Sequence, residues 1–147
     1  MTIPDLGALP QVLGRPVPLP SRLDRPFHEG LTAHRLVLQR CTCGTWQWPP
    51  EVICHRCRSF DPGWVETDPQ GLLYTWTRVW HPAHEGLQTA VPYVVAVVEL
   101  PGAGGIRLVG NLLIPDVATA EIRTGTPVRG MFVDQPGGYT LLQWRPS

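Results

Sequence analysis

The chain has 147 residues, the size of one domain or one domain with a small appendage, and a core of that size buries roughly 68–70% of the unfolded surface. Charged residues make up 16%, 12 basic against 12 acidic, so no global field steers the chain toward nucleic acid or an anionic membrane. The 17 prolines and 15 glycines favour short strands and turns over long helices. No apolar run nears the ~20 residues of a membrane span. Met1 to Pro20 lack the basic-then-apolar order of a secretory signal, so the chain reads as cytoplasmic. There, cysteines serve as metal ligands or free thiols more often than as disulfides.

Residues 1–20 hold five prolines (Pro4, Pro10, Pro16, Pro18 and Pro20), each without an amide donor, and read as an extended arm. Ser21-Arg22-Leu23-Asp24 has the form of a capping box, and Asp24 is itself an N-cap residue type. The helix predicted behind it runs from about Arg25 to His34, with Phe27, Leu31 and His34 on one side and Gly30 as its weak point. From Arg35 the period changes to two, and Leu36 and Leu38 mark a strand running into Cys41.

Cys41-Thr42-Cys43 and Cys54-His55-Arg56-Cys57 are two close pairs ten residues apart. Two tight turns that each present two thiolates supply the four soft ligands of a tetrahedral zinc. The second pair has ordinary knuckle spacing, whereas the first is one residue short, with a tighter turn and altered amide-to-sulfur bonds. His55 is a substitute ligand should one of the first pair be misplaced. Two disulfides, a metal-free site and a redox pair are the competing readings. Four cysteine ligands leave no open position, which argues for a structural rather than a catalytic zinc.

Beyond the turns at Asp61-Pro62-Gly63 and Asp68-Pro69-Gln70-Gly71, strands follow one another. Leu72 to Trp80 is the first, with Tyr74, Trp76, Arg78 and Trp80 on one face and Leu73, Thr75, Thr77 and Val79 on the other. Pro92 to Leu100 is nearly all apolar and reads as a strand buried on both faces. Pro101 to Gly105 is a hairpin turn before a third strand, Ile106 to Ile114. Asp116 to Glu121 reads as one helical turn, and Pro127 to Val133 and Tyr139 to Trp144 are the last two strands. The predicted fold is mainly β: an N-terminal helix and zinc ribbon, then a five-stranded, partly open OB-fold barrel.

The fragments Pro26-Phe27-His28-Glu29-Gly30-Leu31, Leu38-Gln39-Arg40-Cys41, Trp48-Pro49-Pro50 and Trp64-Val65-Glu66 stand in a distinctive order around the cysteines. Gly71-Leu72-Leu73-Tyr74-Thr75-Trp76-Thr77, the run Val91 to Leu100, and Leu108-Val109-Gly110-Asn111-Leu112 continue it. This order resembles the family called domain of unknown function thirty-five over about residues 22 to 146. The resemblance implies a helix plus rubredoxin-like zinc ribbon over 21–66 and an OB-fold over 67–147. It also implies a role as accessory subunit of acyl-CoA enzymes, beside thiolase-fold partners (thiolases or lipid-transfer-protein aldolases) or hot-dog-fold hydratases. The stretch Tyr74 to Pro82 with Val109 to Leu113 looks closest to members that accompany lipid-transfer-protein aldolases in steroid side-chain breakdown.

On that reading Cys41, Cys43, Cys54 and Cys57 hold zinc. Trp76, Arg78, Trp80 and His81 form the face expected to meet acyl-CoA or a partner, since Trp and Arg are enriched at interfaces and stack on flat rings. The competing assignment puts Trp76 or Trp80 inside the barrel. Trp46 and Trp48 are expected to pack the ribbon on the barrel, and His81 and His84 to sit exposed in a loop. No catalytic acid, base or nucleophile is assembled by the sequence. An OB-fold with exposed aromatics also fits single-stranded nucleic acid, but the sparse arginines after Leu72 and a pI near 7.0 argue against it.

Overall fold

A computed structural model describes residues 18–60 and 62–147, so the predicted arm lies outside it save for Pro18 to Pro20. Helix α1 (Arg25–Thr32) precedes β1 (Leu36–Arg40), β2 (Trp46–Gln47), β3 (Gly63–Thr67), β4 (Gln70–Val79), β5 (Tyr93–Leu100), β6 (Ile106–Asn111), β7 (Pro127–Gln135) and β8 (Tyr139–Pro146). The first three strands form an antiparallel sheet in the order β2-β1-β3. The other five form a second sheet, β6-β5-β4-β7-β8. Only Asp68 and Pro69 separate β3 from β4. That corner is held by the Gly130 N–H donating to Pro69 O (2.7 Å) and by Arg129 against Asp68 (3.4 Å).

The capping box forms as the sequence predicts. The Ser21 hydroxyl accepts the N–H of Leu23 (3.2 Å) and Asp24 (3.4 Å) and donates to Asp24 Oδ1 (2.7 Å). Gly30 is required by packing: a Cβ there would lie 2.8 Å from Val37 Cγ2 and 2.9 Å from Arg35 O, so α1 rests directly on β1. The helix stops two residues before the predicted end. His34 instead adopts the left-handed region (φ 55°) and reaches the barrel. There its ring stacks on Phe132 (centroids 5.6 Å apart, 7° between planes) and its Nε2 lies 2.9 Å from Asp134 Oδ1. The same oxygen accepts from Thr140 Oγ1 (2.7 Å).

These two partners, His34 first, hold the Asp134 carboxyl below its ordinary range. A carboxylate whose pKa falls on folding adds stability that is fully present above the unfolded value, about 3.9, and is lost as pH falls through the folded one. Asp134→Asn should therefore lower the melting temperature at about pH 6, and the gap to the parent should close below about pH 4. Melting curves across that range decide it; a gap independent of pH refutes it.

The second sheet curls until β6 meets β8. Leu112 bridges Trp144 in parallel, the Leu113 N–H donates to Trp144 O (2.7 Å), and the Asn111 N–H donates to Gln143 Oε1 (2.6 Å). Glycine makes this approach feasible: a Cβ on Gly110 would sit 2.7 Å from Leu142 O and 2.9 Å from the Trp144 ring. The strand order and the parallel closure are those of an OB-fold. Leu73, Val94, Ala96, Val98, Leu100, Leu108, Val128 and Trp144 fill the interior. Leu31, Leu36 and Leu38 continue the same core beneath α1.

Two local expectations are corrected. Strand β4 carries a bulge between Leu73 and Thr75, so two-residue alternation breaks there. Tyr74 leaves the face it was expected to share with Trp76, which pairs with buried Ala96. Strand β5 alternates buried and half-buried residues rather than burying both faces. At Pro115–Thr119 the expected single helical turn is present, with the Ala120 N–H donating to Asp116 O (2.9 Å), and it does not continue as a helix. Among the described residues no helix is long and apolar enough to cross a membrane.

Candidate functional site

The cysteines lie on two turns beyond β1 and β2. In the first, the Cys41 N–H donates to Thr45 O (2.9 Å) and the Gly44 N–H to Cys41 O (2.8 Å), with Gly44 at φ 90°. In the second, the Cys54 N–H donates to Ser59 O (2.9 Å) and the Arg58 N–H to Cys54 O (3.0 Å), with Arg58 at φ 65°. The four thiols are free, and their sulfurs lie within 4.8 Å of one another. Cys41 and Cys57 are 3.5 Å apart, Cys43 and Cys54 3.8 Å. A tetrahedron with zinc–sulfur bonds of about 2.3 Å has edges of about 3.8 Å. The donor set therefore fits a structural zinc, and the shortened first pair delivers both its sulfurs because Gly44 turns the chain directly behind it. His55 stays outside the cluster; its Nδ1 lies 2.8 Å from Gln47 Oε1.

Two of the four thiols, Cys41 and Cys43, are drawn toward the thiolate form that zinc requires, whereas at Cys57 the Ser59 hydroxyl is outweighed by neighbouring Cys41 and by burial, which raise it. The Ser59 hydroxyl, then the Cys43 backbone, pull the Cys41 thiol from its ordinary 9.0 to about 6. The hydroxyl and amide of Thr45 lower Cys43 in the same way.

Two residues that the sequence did not single out frame this site. Gln39 and Gln47 are buried and hydrogen-bonded to each other (3.0 Å). Gln39 also donates to Glu51 O (2.8 Å) and accepts the Glu51 N–H (3.0 Å). Gln47 donates to Ile53 O (3.1 Å) and accepts the His55 N–H (2.9 Å). Together they pin the loop that leads into the second knuckle. Glutamine in a strand ordinarily faces water, so alternation placed Gln39 outward; only the count of unpaired backbone groups in the loop signals the need for it.

The four residues of the predicted binding face lie in sequence at the end of β4 but divide in environment. Trp76 packs against the barrel core, and Arg78 sits 5.5 Å from its ring centroid. The Arg78 guanidinium donates to Ala120 O (2.6 Å), which ties β4 to the β6–β7 connection. Trp80 is 51% exposed and His81 is exposed beside it. His84 caps the short 3-10 turn Glu85–Leu87, its Nδ1 accepting the Gly86 N–H (3.1 Å). Tyr74 faces outward under the Arg107 guanidinium, 3.5 Å from the ring centroid. Trp46 packs on the barrel as predicted, whereas Trp48 packs against the N-terminal helix. Trp46 lies against Gly104 of the barrel and Trp48 against Phe27 (centroids 4.5 Å apart).

Comparison with known proteins agrees with this architecture. Family models match in two adjoining parts: the rubredoxin-like zinc ribbon domain of ChsH2 over residues 28–63 and the ChsH2 C-terminal OB-fold domain over 64–133. A solved structure described as an Ltp2-ChsH2(DUF35) aldolase contains a chain 37% identical to this one, with a TM-score of 0.75. The match covers 88% of this chain and 98% of that one. A DUF35 protein of unknown function from Sulfolobus solfataricus shares the fold at 18% identity (TM-score 0.56, 84% of each chain). A probable enoyl-CoA hydratase alpha subunit of Thermomonospora curvata is 37% identical over 134 residues, 90% of this chain. The 3-oxo-4,17-pregnadiene-20-carboxyl-CoA hydratase alpha subunit of Mycobacterium tuberculosis is 33% identical over 130 residues, 88% of this chain. The chain spans 40% of the length of each of these two. A DUF35 domain-containing scaffold protein of Methanocaldococcus jannaschii is 31% identical over 101 residues, 66% of this chain and 67% of that protein.

Proposed function

The chain belongs to the DUF35 family, in the form that joins a ChsH2-type zinc ribbon to an OB-fold, and from that premise we propose that it is a non-catalytic accessory subunit. It binds a thiolase-superfamily partner, a lipid-transfer-protein aldolase of steroid side-chain degradation, in the cytoplasm, and helps to hold the acyl-CoA thioester. The observation that carries this reading is the 37% identity over nearly the whole of the chain from the Ltp2-ChsH2(DUF35) aldolase. The packed barrel adds to it. Trp144, Leu73 and Val98 fill the interior, so a ligand or partner has to be met on the outside. Exposed Trp80 and His81, close in sequence to Trp76 and Arg78, offer a flat aromatic surface and an imidazole for that contact. In this reading residues 21–66 are the ribbon unit and 67–147 the barrel unit. The names of two relatives favour a second partner, a hot-dog-fold hydratase.

The test is to co-express the chain with the thiolase-like protein encoded beside it and follow both through size exclusion. One complex should elute, and retro-aldol cleavage of a steroid acyl-CoA should depend on both subunits. Separate elution with the enzyme's activity unchanged defeats the proposal. A complex formed only with a hydratase decides for the second partner.

A further inference from the structure

In a full-length knuckle the turn between two cysteines presents backbone N–H groups to the sulfurs. The first pair here has one intervening residue, and two of the amides around it go to backbone oxygens, Cys41 N–H to Thr45 O (2.9 Å) and Gly44 N–H to Cys41 O (2.8 Å), which leaves the sulfurs the amides of Cys43 and Thr45. Four thiolates around a divalent ion carry a net charge of about −2, which donors in the surrounding shell have to offset. Two side-chain hydroxyls stand where such donors are needed. Ser59 Oγ lies 3.2 Å from Cys41 Sγ and 3.0 Å from Cys57 Sγ, between one sulfur of each pair. Thr45 Oγ1 lies 3.2 Å from Cys43 Sγ. Once the sulfurs are thiolates, only the hydroxyls can donate.

We propose that Ser59, seconded by Thr45, is the residue that lets the shortened cysteine pair retain its metal, by donating hydroxyl hydrogen bonds to the sulfurs that hold it. Ser59 is well placed for this because its own backbone is part of the second turn. Its carbonyl accepts the Cys54 N–H (2.9 Å), which fixes its hydroxyl over the cleft between the pairs. One hydroxyl proton is shared between a sulfur of each pair, so Ser59 also links the two turns. Thr45 acts on Cys43 alone, so its contribution is the smaller.

The inference rests on the zinc reading of the four cysteines, and the experiment separates the two. Zinc affinity of the full chain is measured by competition with a chromophoric chelator, for the parent and for Ser59→Ala, Ser59→Thr and Thr45→Ala. Loss of a partner in the outer shell weakens metal binding about 10–100-fold. Ser59→Ala should fall in that range, Thr45→Ala should fall less, and Ser59→Thr, which keeps a hydroxyl, should stay within a few-fold of the parent. Folding of each variant is checked by its near-ultraviolet circular dichroism with zinc in excess. If Ser59→Ala does not fold, Thr45→Ala carries the test against the parent. Parent-like affinity in both alanine variants overturns the role of the hydroxyls and leaves the zinc site standing. Equal weakening by Ser59→Ala and Ser59→Thr also overturns it, since a packing role would then explain the loss. A parent that takes up no zinc removes the zinc reading and this inference with it.

Discussion

Replacing Cys54 with serine should empty the ribbon of metal and melt residues 41–60. Cys54 is fully buried, and its sulfur is 3.8 Å from Cys43 across the two turns. Apart from the Gln39–Gln47 network and the packing of Trp46 and Trp48, the segment has little else to hold it. Val52, Ile53 and Phe60, its large apolar residues besides Trp46 and Trp48, are all exposed, Phe60 by 70%. Bound zinc supplies ~10–16 kcal/mol of apparent folding free energy in isolated ribbon-sized peptides, far more than the burial available here. The barrel should keep its sheet, because its core draws on β4 to β8, α1 and β1 and on neither cysteine turn. Metal content per chain and amide exchange are the measurements. The variant should bind less than one zinc per chain and lose protection selectively over 41–60. Protection there equal to the parent's would contradict the account.

Trp144→Ala should carry the largest cost within the barrel. Trp144 is fully buried, and its ring meets Gly110 of β6 and Gly130 of β7, while its carbonyl takes the Leu113 N–H that closes the sheet. Truncating a buried tryptophan costs about 3–5 kcal/mol, a large part of the ~5–15 kcal/mol that holds a domain together. For a chain of this size that means a melting temperature lower by roughly 10 °C or more. Gly110→Val should approach the same loss from the facing strand, since its Cβ would lie 2.7 Å from Leu142 O. Because both changes act on one contact, the double variant should lose less than the sum of the two. Urea unfolding of all three variants with zinc in excess measures this, and additive losses would show that the two residues do not share a contact.

The parts of this fold that obey a single local rule were legible in the sequence. Ser21 and Asp24 announce a helix start, the cysteine pairs announce a metal, and turn residues divide five strands. What escaped were features set by partners distant in the chain. The bulge at Tyr74 leaves no mark in the alternation of residues 72–80; it appears only when β4 is laid against β5. His34 continues the helical period, yet adopts a positive φ because Phe132 and Asp134, some hundred residues on, take up its ring. Gln39 and Gln47 look like solvent-facing strand residues, and their burial follows from a loop that needs donors and acceptors. The cysteine cluster was fully readable because its ligands are close in sequence. The surface around Trp80 was readable only in composition, since the bulge and the Arg78–Ala120 bond decide which of its members face outward.

The two-residue step from β3 to β4 leaves no slack between the halves of the molecule. Strand β3 is zipped to β1 over five residue pairs, and β1 runs straight into Cys41. A displacement at the metal would be passed along β1 to β3, round the pinned corner at Asp68-Pro69, and on into the strand that ends beside Trp80. The corner at Asp68-Pro69 thus sets the direction in which the chain leaves the ribbon and enters the first strand of the barrel.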